Sequence, residues 1–313
     1  MSIHHHTGTG RPAHPHAGEA ARVGRVEDRR RLLWALAISG VLLLVELAGG
    51  IWAGSLSLLA DAGHLLADVA ALGVALFACT IAARPATPHK TFGYYRIEIL
   101  SALFNGVLLI VIAGGVAIAA VGRLGAPPLV HTERLIWIAA VGLAGNLVAV
   151  ALLLPRARGS LNLRGALTHV AGDTLSSVMV LAGGAVMART GWYRLDSVLS
   201  LVIAVVILFG AWRLLREAVD ILLEAVPGGL DPEQIASAIS EVPGVGAVHD
   251  LHIWSITSGM PALSGHVIAA RDVEASPDEL LNRVKRLLLD RYQIEHTTLQ
   301  VESPEYEELG HVH

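Results

Sequence analysis

Residues 59 to 70 read LADAGHLLADVA, and within them His64 and Asp68 stand four apart; a second pair with the same spacing, His169 and Asp173, sits in THVAGDT. On a helix, positions i and i+4 stack on one face, so each pair presents an imidazole nitrogen and a carboxylate oxygen to one neighbour. Two such pairs make a donor set suited to a tetrahedral, borderline-soft divalent ion, with zinc the first choice. Their two carboxylates would neutralise its charge. Four protein ligands leave no position reserved for a reacting water, which favours holding and releasing an ion over chemistry on it. A histidine binds metal only when neutral, so protons compete with the ion for both imidazoles.

Both pairs lie in long apolar runs. Of the 313 residues, 53% are hydrophobic and 16% charged, and the mean hydropathy is +0.57. That balance points to a polytopic membrane protein. The net charge of −4 offers no basic field for nucleic acid. The single cysteine, Cys79, supports neither a disulfide framework nor a cysteine zinc site. Spans of about 20 residues, enough for roughly 30 Å of hydrocarbon, can be drawn six times. They cover about 33 to 53, 56 to 83, 97 to 122, 134 to 154, 164 to 188 and 197 to 216. With the N-terminus in the cytoplasm, the inner segments hold Arg22, Arg25, Arg29, Arg30, Arg31, Arg84, Lys90, Arg96, Arg156, Arg158, Arg164, Arg213 and Arg216. The outer loops hold only Arg123, Arg134, Arg189 and Arg194. That asymmetry places both termini inside.

Depth then relates the two pairs. At 1.5 Å per residue His64 lies about 12 Å and Asp68 about 18 Å below the outer edge, while His169 lies about 8 Å and Asp173 about 14 Å above the inner edge. Two antiparallel helices would bring His64 level with Asp173 and Asp68 level with His169, near the middle of the bilayer. A polar cluster that only glues helices together is the rival reading, but ionisable groups at that depth are functional by default. Glu46 and Asp61, about 8 to 11 Å below the outer edge, are candidates for an acidic release vestibule. Interhelical hydrogen bonding is the alternative for Glu46, as it is for Asn105 and Asn146.

Beyond about residue 227 the composition becomes that of a soluble α+β layer in the order helix, strand, strand, helix, strand. Asp231-Pro232 with Gln234, and Ser276-Pro277 with Glu279, announce two capped helix starts. Period-two alternation puts His249, Leu251 and Ile253 on one strand face and Asp250, His252 and Trp254 on the other, so that His249 and His252 would not share an ion. The expected organisation is a histidine-bearing flexible cytoplasmic tail over 1–30, a six-helix transmembrane domain over 31–226, a cytoplasmic α+β domain over 227–303 and a short tail over 304–313. MSIHHHTGTGRPAHPHAGE and the closing GHVH are tails in which metal capture and a passive linker are rival readings.

The two pairs, the stretch TFGYYRIEILSALFNG and the run VPGVGAVHDLHIWSITSGMPALSGHV resemble the cation diffusion facilitators, most closely their zinc-transporting bacterial branch. The resemblance spans about 30 to 303. It implies a homodimer in the bacterial cytoplasmic membrane that exports a divalent metal in exchange for protons through His64, Asp68, His169 and Asp173. It also implies that the soluble domain is ferredoxin-like. A histidine at position 64, where manganese and iron branches tend to carry Asp, favours Zn2+ as the transported substrate, with cadmium, cobalt and nickel as alternatives. By the same resemblance His249, His266 and Glu302 would hold a regulatory metal, satisfied structural histidines being the rival, and Arg96 would pair with Glu224. An enzyme is not expected: an intramembrane zinc hydrolase lacks HExxH here. A metal sensor without flux is the remaining alternative.

Overall fold

The computed structural model describes residues 15–82, 87–159, 161–271 and 276–306. Residues 1–14, with the HHH run, and the closing GHVH lie outside them. The chain divides into two compact units, Met1–Val69 with Gly115–Ala204, and Ala70–Gly114 with Val205–His313.

Eight helices and three strands follow one another along the described residues: α1 (Pro15–Ala53), α2 (Leu56–Ala82), α3 (Arg96–Gly125), α4 (Thr132–Leu153), α5 (Leu161–Thr190), α6 (Arg194–Leu222), α7 (Pro232–Ser240), β1 (Val245–Thr257), β2 (Met260–Ala269), α8 (Pro277–Tyr292) and β3 (His296–Glu302). A 3-10 turn, Leu154–Gly159, joins α4 to α5. Among the described residues, five stretches are long and apolar enough to cross a bilayer: Leu33–Ala53, Arg96–Gly125, Thr132–Leu153, Ala166–Thr190 and Arg194–Leu222. Together they make this a multi-pass integral membrane protein. The sequence led us to expect six, and α2 is the helix not among the five. The helical part of α1 also reaches back to Pro15, into the segment expected to be a flexible tail.

In the first unit, small residues decide how closely the helices approach. A methyl group at Gly49 would meet Ile138 side-chain atoms at 2.5 to 2.9 Å, one at Gly142 would lie 2.6 Å from Glu46 Oε1, and one at Gly145 would lie 2.8 Å from Leu42. These glycines form a seam along which α1 and α4 pack, the usual device where lipid tails offer no hydrophobic drive to associate. Leu42 and Leu43 of α1 bury against Ala62 and Leu65 of α2, and Ala35 buries with Ala149, Leu153 and Val170. Large apolar side chains such as Val41, Ile118, Trp137 and Val148 stay exposed in this unit, as a lipid-facing surface requires.

In the second unit, β1 and β2 pair antiparallel and β2 and β3 pair parallel, with α8 as the crossover. One sheet face buries Val245, Ile253, Leu263 and Val267 against Ile235 and Ile239 of α7 and Leu280, Val284 and Leu288 of α8. The α8 start is the expected capping box, with Ser276 Oγ accepting from Glu279 N at 3.3 Å and Ser276 N donating to Glu279 at 3.0 Å. The α7 start differs from its expected form. Asp231 accepts from Glu233 N at 3.0 Å, but Gln234 donates its amide to the Asp231 carboxyl at 2.9 Å instead of reaching back to the backbone.

Alternation along β1 fails at one point. His249 pairs with His266 and His252 with Ser264, so β1 advances one residue more than β2 between them. Asp250 takes φ +49 in this bulge. The extra residue reverses the parity, and His249 and His252 lie on the same sheet face, contrary to the expectation from strict alternation.

Candidate metal centre

His64 and Asp68 project from α2, and Asp173 comes from α5. Their ligand atoms all lie within 4.8 Å of one another. His64 Nε2 is 3.7 Å from Asp68 Oδ2 and 3.7 Å from Asp173 Oδ1. That spacing is too long for a hydrogen bond and close to the edge of a zinc tetrahedron, about 3.3 Å for ligands near 2.0 Å from the ion. Two atoms of the group, His64 Nδ1 and Asp173 Oδ1, are buried with no hydrogen-bond partner among the described residues. Such orphans are costly unless something else fills the gap. Asp173 is 5% exposed, whereas the side chains of His64 and Asp68 are 28% and 27% exposed.

His169 stands apart. It lies one turn before Asp173 on α5 with its side chain exposed, outside the gathered group. The structure therefore brings three of the four expected side chains together.

Glu46 and Asp61 are 1% and 3% exposed, so the acidic pair is closed to solvent in this conformation. Asp61 accepts from Ser176 Oγ of α5 at 2.7 Å, and Glu46 Oε2 has no partner among the described residues. Asn146 donates to Ser177 Oγ at 3.1 Å, the interhelical bond expected of it. Asn105 is buried with its carbonyl oxygen unpaired among the described residues.

A second group occupies the sheet face turned away from α7 and α8. His249 Nε2 lies 3.0 Å from Glu302 Oε2, and His266 Nδ1 lies 2.7 Å from Glu302 Oε1. The two imidazoles meet edge to face with centroids 5.0 Å apart. Burial alone would raise the Glu302 carboxyl, but the His249 hydrogen bond and the attraction of both imidazoles outweigh it and hold Glu302 below its ordinary 4.5. These three ligand atoms also lie within 4.8 Å of one another. His252 instead pairs with Asp250 across the bulge at 2.9 Å.

Arg96, at the start of α3, pairs with Glu224 at 2.8 Å. Two contacts escaped the sequence. Glu98 of α3 accepts from Thr257 Oγ1 of β1 at 3.1 Å, and Asp196, the third residue of α6, accepts four hydrogen bonds from the start of α2.

Known proteins resemble this chain over most of its length. The cation efflux transmembrane domain model matches residues 32–223, and the model for the cytoplasmic domain of cation efflux proteins matches residues 227–304. The metal cation efflux system protein CzcD of Cupriavidus metallidurans is 40% identical over 276 residues, 88% of this chain and 87% of that protein. The zinc transporter ZitB of Escherichia coli is 37% identical over 294 residues, 93% of this chain and 92% of that protein. A protein of Bacillus velezensis named as a cadmium, cobalt and zinc/H(+)-K(+) antiporter is 36% identical over 293 residues, 93% of this chain and 91% of that protein.

Proposed function

The chain belongs to the cation efflux family, and from that premise we propose that it is a secondary active transporter that exports a divalent metal, zinc first, from the cytoplasm in exchange for protons. The observation that carries this reading is the group His64, Asp68 and Asp173, which α2 and the bilayer-crossing α5 bring together with two of its buried atoms unpaired among the described residues. His169 is the fourth ligand in this reading. It precedes Asp173 by one helical turn, and it closes the tetrahedron when α5 or its own side chain turns. A site that gains and loses one ligand is what transport needs, because an ion held by four permanent ligands is slow to leave.

The ion's positive charge is met by two carboxylates, and proton competition for the imidazoles ejects it on the acidic side. Glu46 and Asp61 lie on that release side. Alternating exposure follows from rocking of the helices about the midplane, with α2 as the sixth span and both termini in the cytoplasm of a bacterial cell. The cytoplasmic domain supports a homodimer. His249, His266 and Glu302 form its regulatory metal site, where the bound ion reports cytoplasmic zinc to the transport domain.

The test is zinc uptake into inverted vesicles or proteoliposomes driven by a pH gradient, repeated with cadmium, cobalt, nickel and manganese. The wild-type protein accumulates zinc, and Asp173→Ala does not. Wild-type accumulation by Asp173→Ala would overturn the site, and binding without flux in the wild type would favour a sensor.

A further inference from the structure

The four leading N–H groups of a helix have no partner within it. In α2 every one is accounted for. Leu56 N donates to Asp196 Oδ2 at 2.7 Å, Ser57 N to Asp196 Oδ1 at 3.2 Å, Leu58 N to Ser55 Oγ at 3.3 Å, and Leu59 N to Ser55 O at 3.4 Å. Ser55 Oγ and Ser57 Oγ each donate to Asp196 Oδ1 at 2.7 Å. A side chain of α6 therefore takes four hydrogen bonds from α2 and its cap. Asp196 is 2% exposed, and Ser55 and Ser57 are fully buried. At the edge of a membrane span a buried carboxyl is costly without such donors, and an acid at a helix start also meets the favourable end of the helix dipole.

The other side of the same turn is tied down as well. Gly54, at φ +70, lets the chain reverse from α1 into α2. Arg123 donates to Gly54 O at 3.2 Å, His131 N to Ala53 O at 2.9 Å, and Arg134 to Trp52 O at 3.0 Å with its guanidinium over the Trp52 ring. The α1–α2 turn is thus held from α3, α4 and α6 at once.

We propose that Asp196 is a positioning residue for metal transport: by seizing the start of α2 it fixes that helix's height and rotation, and so places His64 and Asp68 opposite Asp173. The inference rests on the transporter reading above. His64 lies eight residues beyond Leu56, so it is about 12 Å along the helix from the anchor. A slip of α2 by one residue would move it about 1.5 Å and turn it about 100°, taking both α2 ligands off the face that meets α5.

The test uses full-length protein in proteoliposomes, with zinc flux as a function of zinc concentration and zinc binding measured in parallel. Asp196→Ala should raise the half-saturating zinc concentration about tenfold or more, because charge-assisted hydrogen bonds to the helix start are lost. The Ser55→Ala/Ser57→Ala double variant should shift half-saturation in the same direction, by less. Added to Asp196→Ala it should worsen half-saturation by less than it does alone, because both serine hydroxyls donate to Asp196 and only the Ser55 cap on Leu58 N is independent of the acid. Zinc binding to the cytoplasmic domain and the pH profile of flux should stay as in the wild type. Should Asp196→Ala fail to accumulate, Asp196→Asn and the serine variants carry the test, since Asn replaces the acceptor facing Leu56 N by a donor.

Wild-type half-saturation in Asp196→Ala or Asp196→Asn would overturn the proposal. So would a silent serine variant beside an inactive Asp196 variant, because the acid would then be acting on metal or protons directly. Absence of zinc flux in the wild-type protein would sink the transporter reading instead, and is measured in the same vesicles.

Discussion

At the scale of single residues, the two His–Asp pairs stand out because i,i+4 spacing and depth are properties of sequence alone, and His64 Nε2 lies 3.7 Å from Asp173 Oδ1 across the helices. The exposed position of His169 was not legible, because side-chain rotation about α5 leaves no trace in spacing. Asp196 was missed for another reason: one acid in the first turn of a span looks like any helix start, and its partners lie 139 to 141 residues away. His169→Ala is expected to slow turnover and weaken zinc binding on the order of 10- to 100-fold, less than Asp173→Ala, in the flux assay. Glu302 yields a pH prediction. Its folded value lies below 4.5, so the stability it contributes is present above 4.5 and is lost as pH falls through the lower folded value. Thermal melts of the metal-free protein's cytoplasmic domain should show Glu302→Gln less stable than wild type at neutral pH, with the gap closing at low pH.

At the scale of elements, strand and helix order in the soluble domain followed from turn residues and caps, which act locally. The bulge did not, since VHDLH contains no glycine to announce a positive φ, and Asp250 is one of few residue types that tolerates it. Asp250→Val should lower the melting temperature of the domain and loosen zinc binding by His249 and His266, because a β-branched side chain resists that conformation; Asp250→Gly should keep binding intact. The α8 capping box is a simpler case. Ser276→Ala is expected to cost about 1 kcal/mol in denaturant unfolding of the same domain. Among the bilayer helices, the α1–α4 glycine seam was invisible to hydropathy, because a scale that scores apolarity does not score closeness. Gly145→Leu should separate these helices and reduce folded protein recovered from membranes.

For the whole molecule, composition was enough to indicate a membrane protein with a soluble α+β domain, and the family relationship carries that reading to metal efflux. A protonophore should halt zinc accumulation by the wild-type protein in the vesicle assay without releasing zinc from the purified, detergent-solubilised form. The short Gly54–Ser55 reversal between α1 and α2 has a further effect, on biogenesis. A helix with Asp68 near its middle and Asp61 in its outer part bears up to about 3 kcal/mol of insertion cost for each acid, and it leaves the ribosome before Asp173 and Asp196 are synthesised. As the proposed sixth span, joined to its apolar predecessor by so tight a hairpin, it would enter lipid as the second arm of that pair, ahead of partners that arrive more than a hundred residues later.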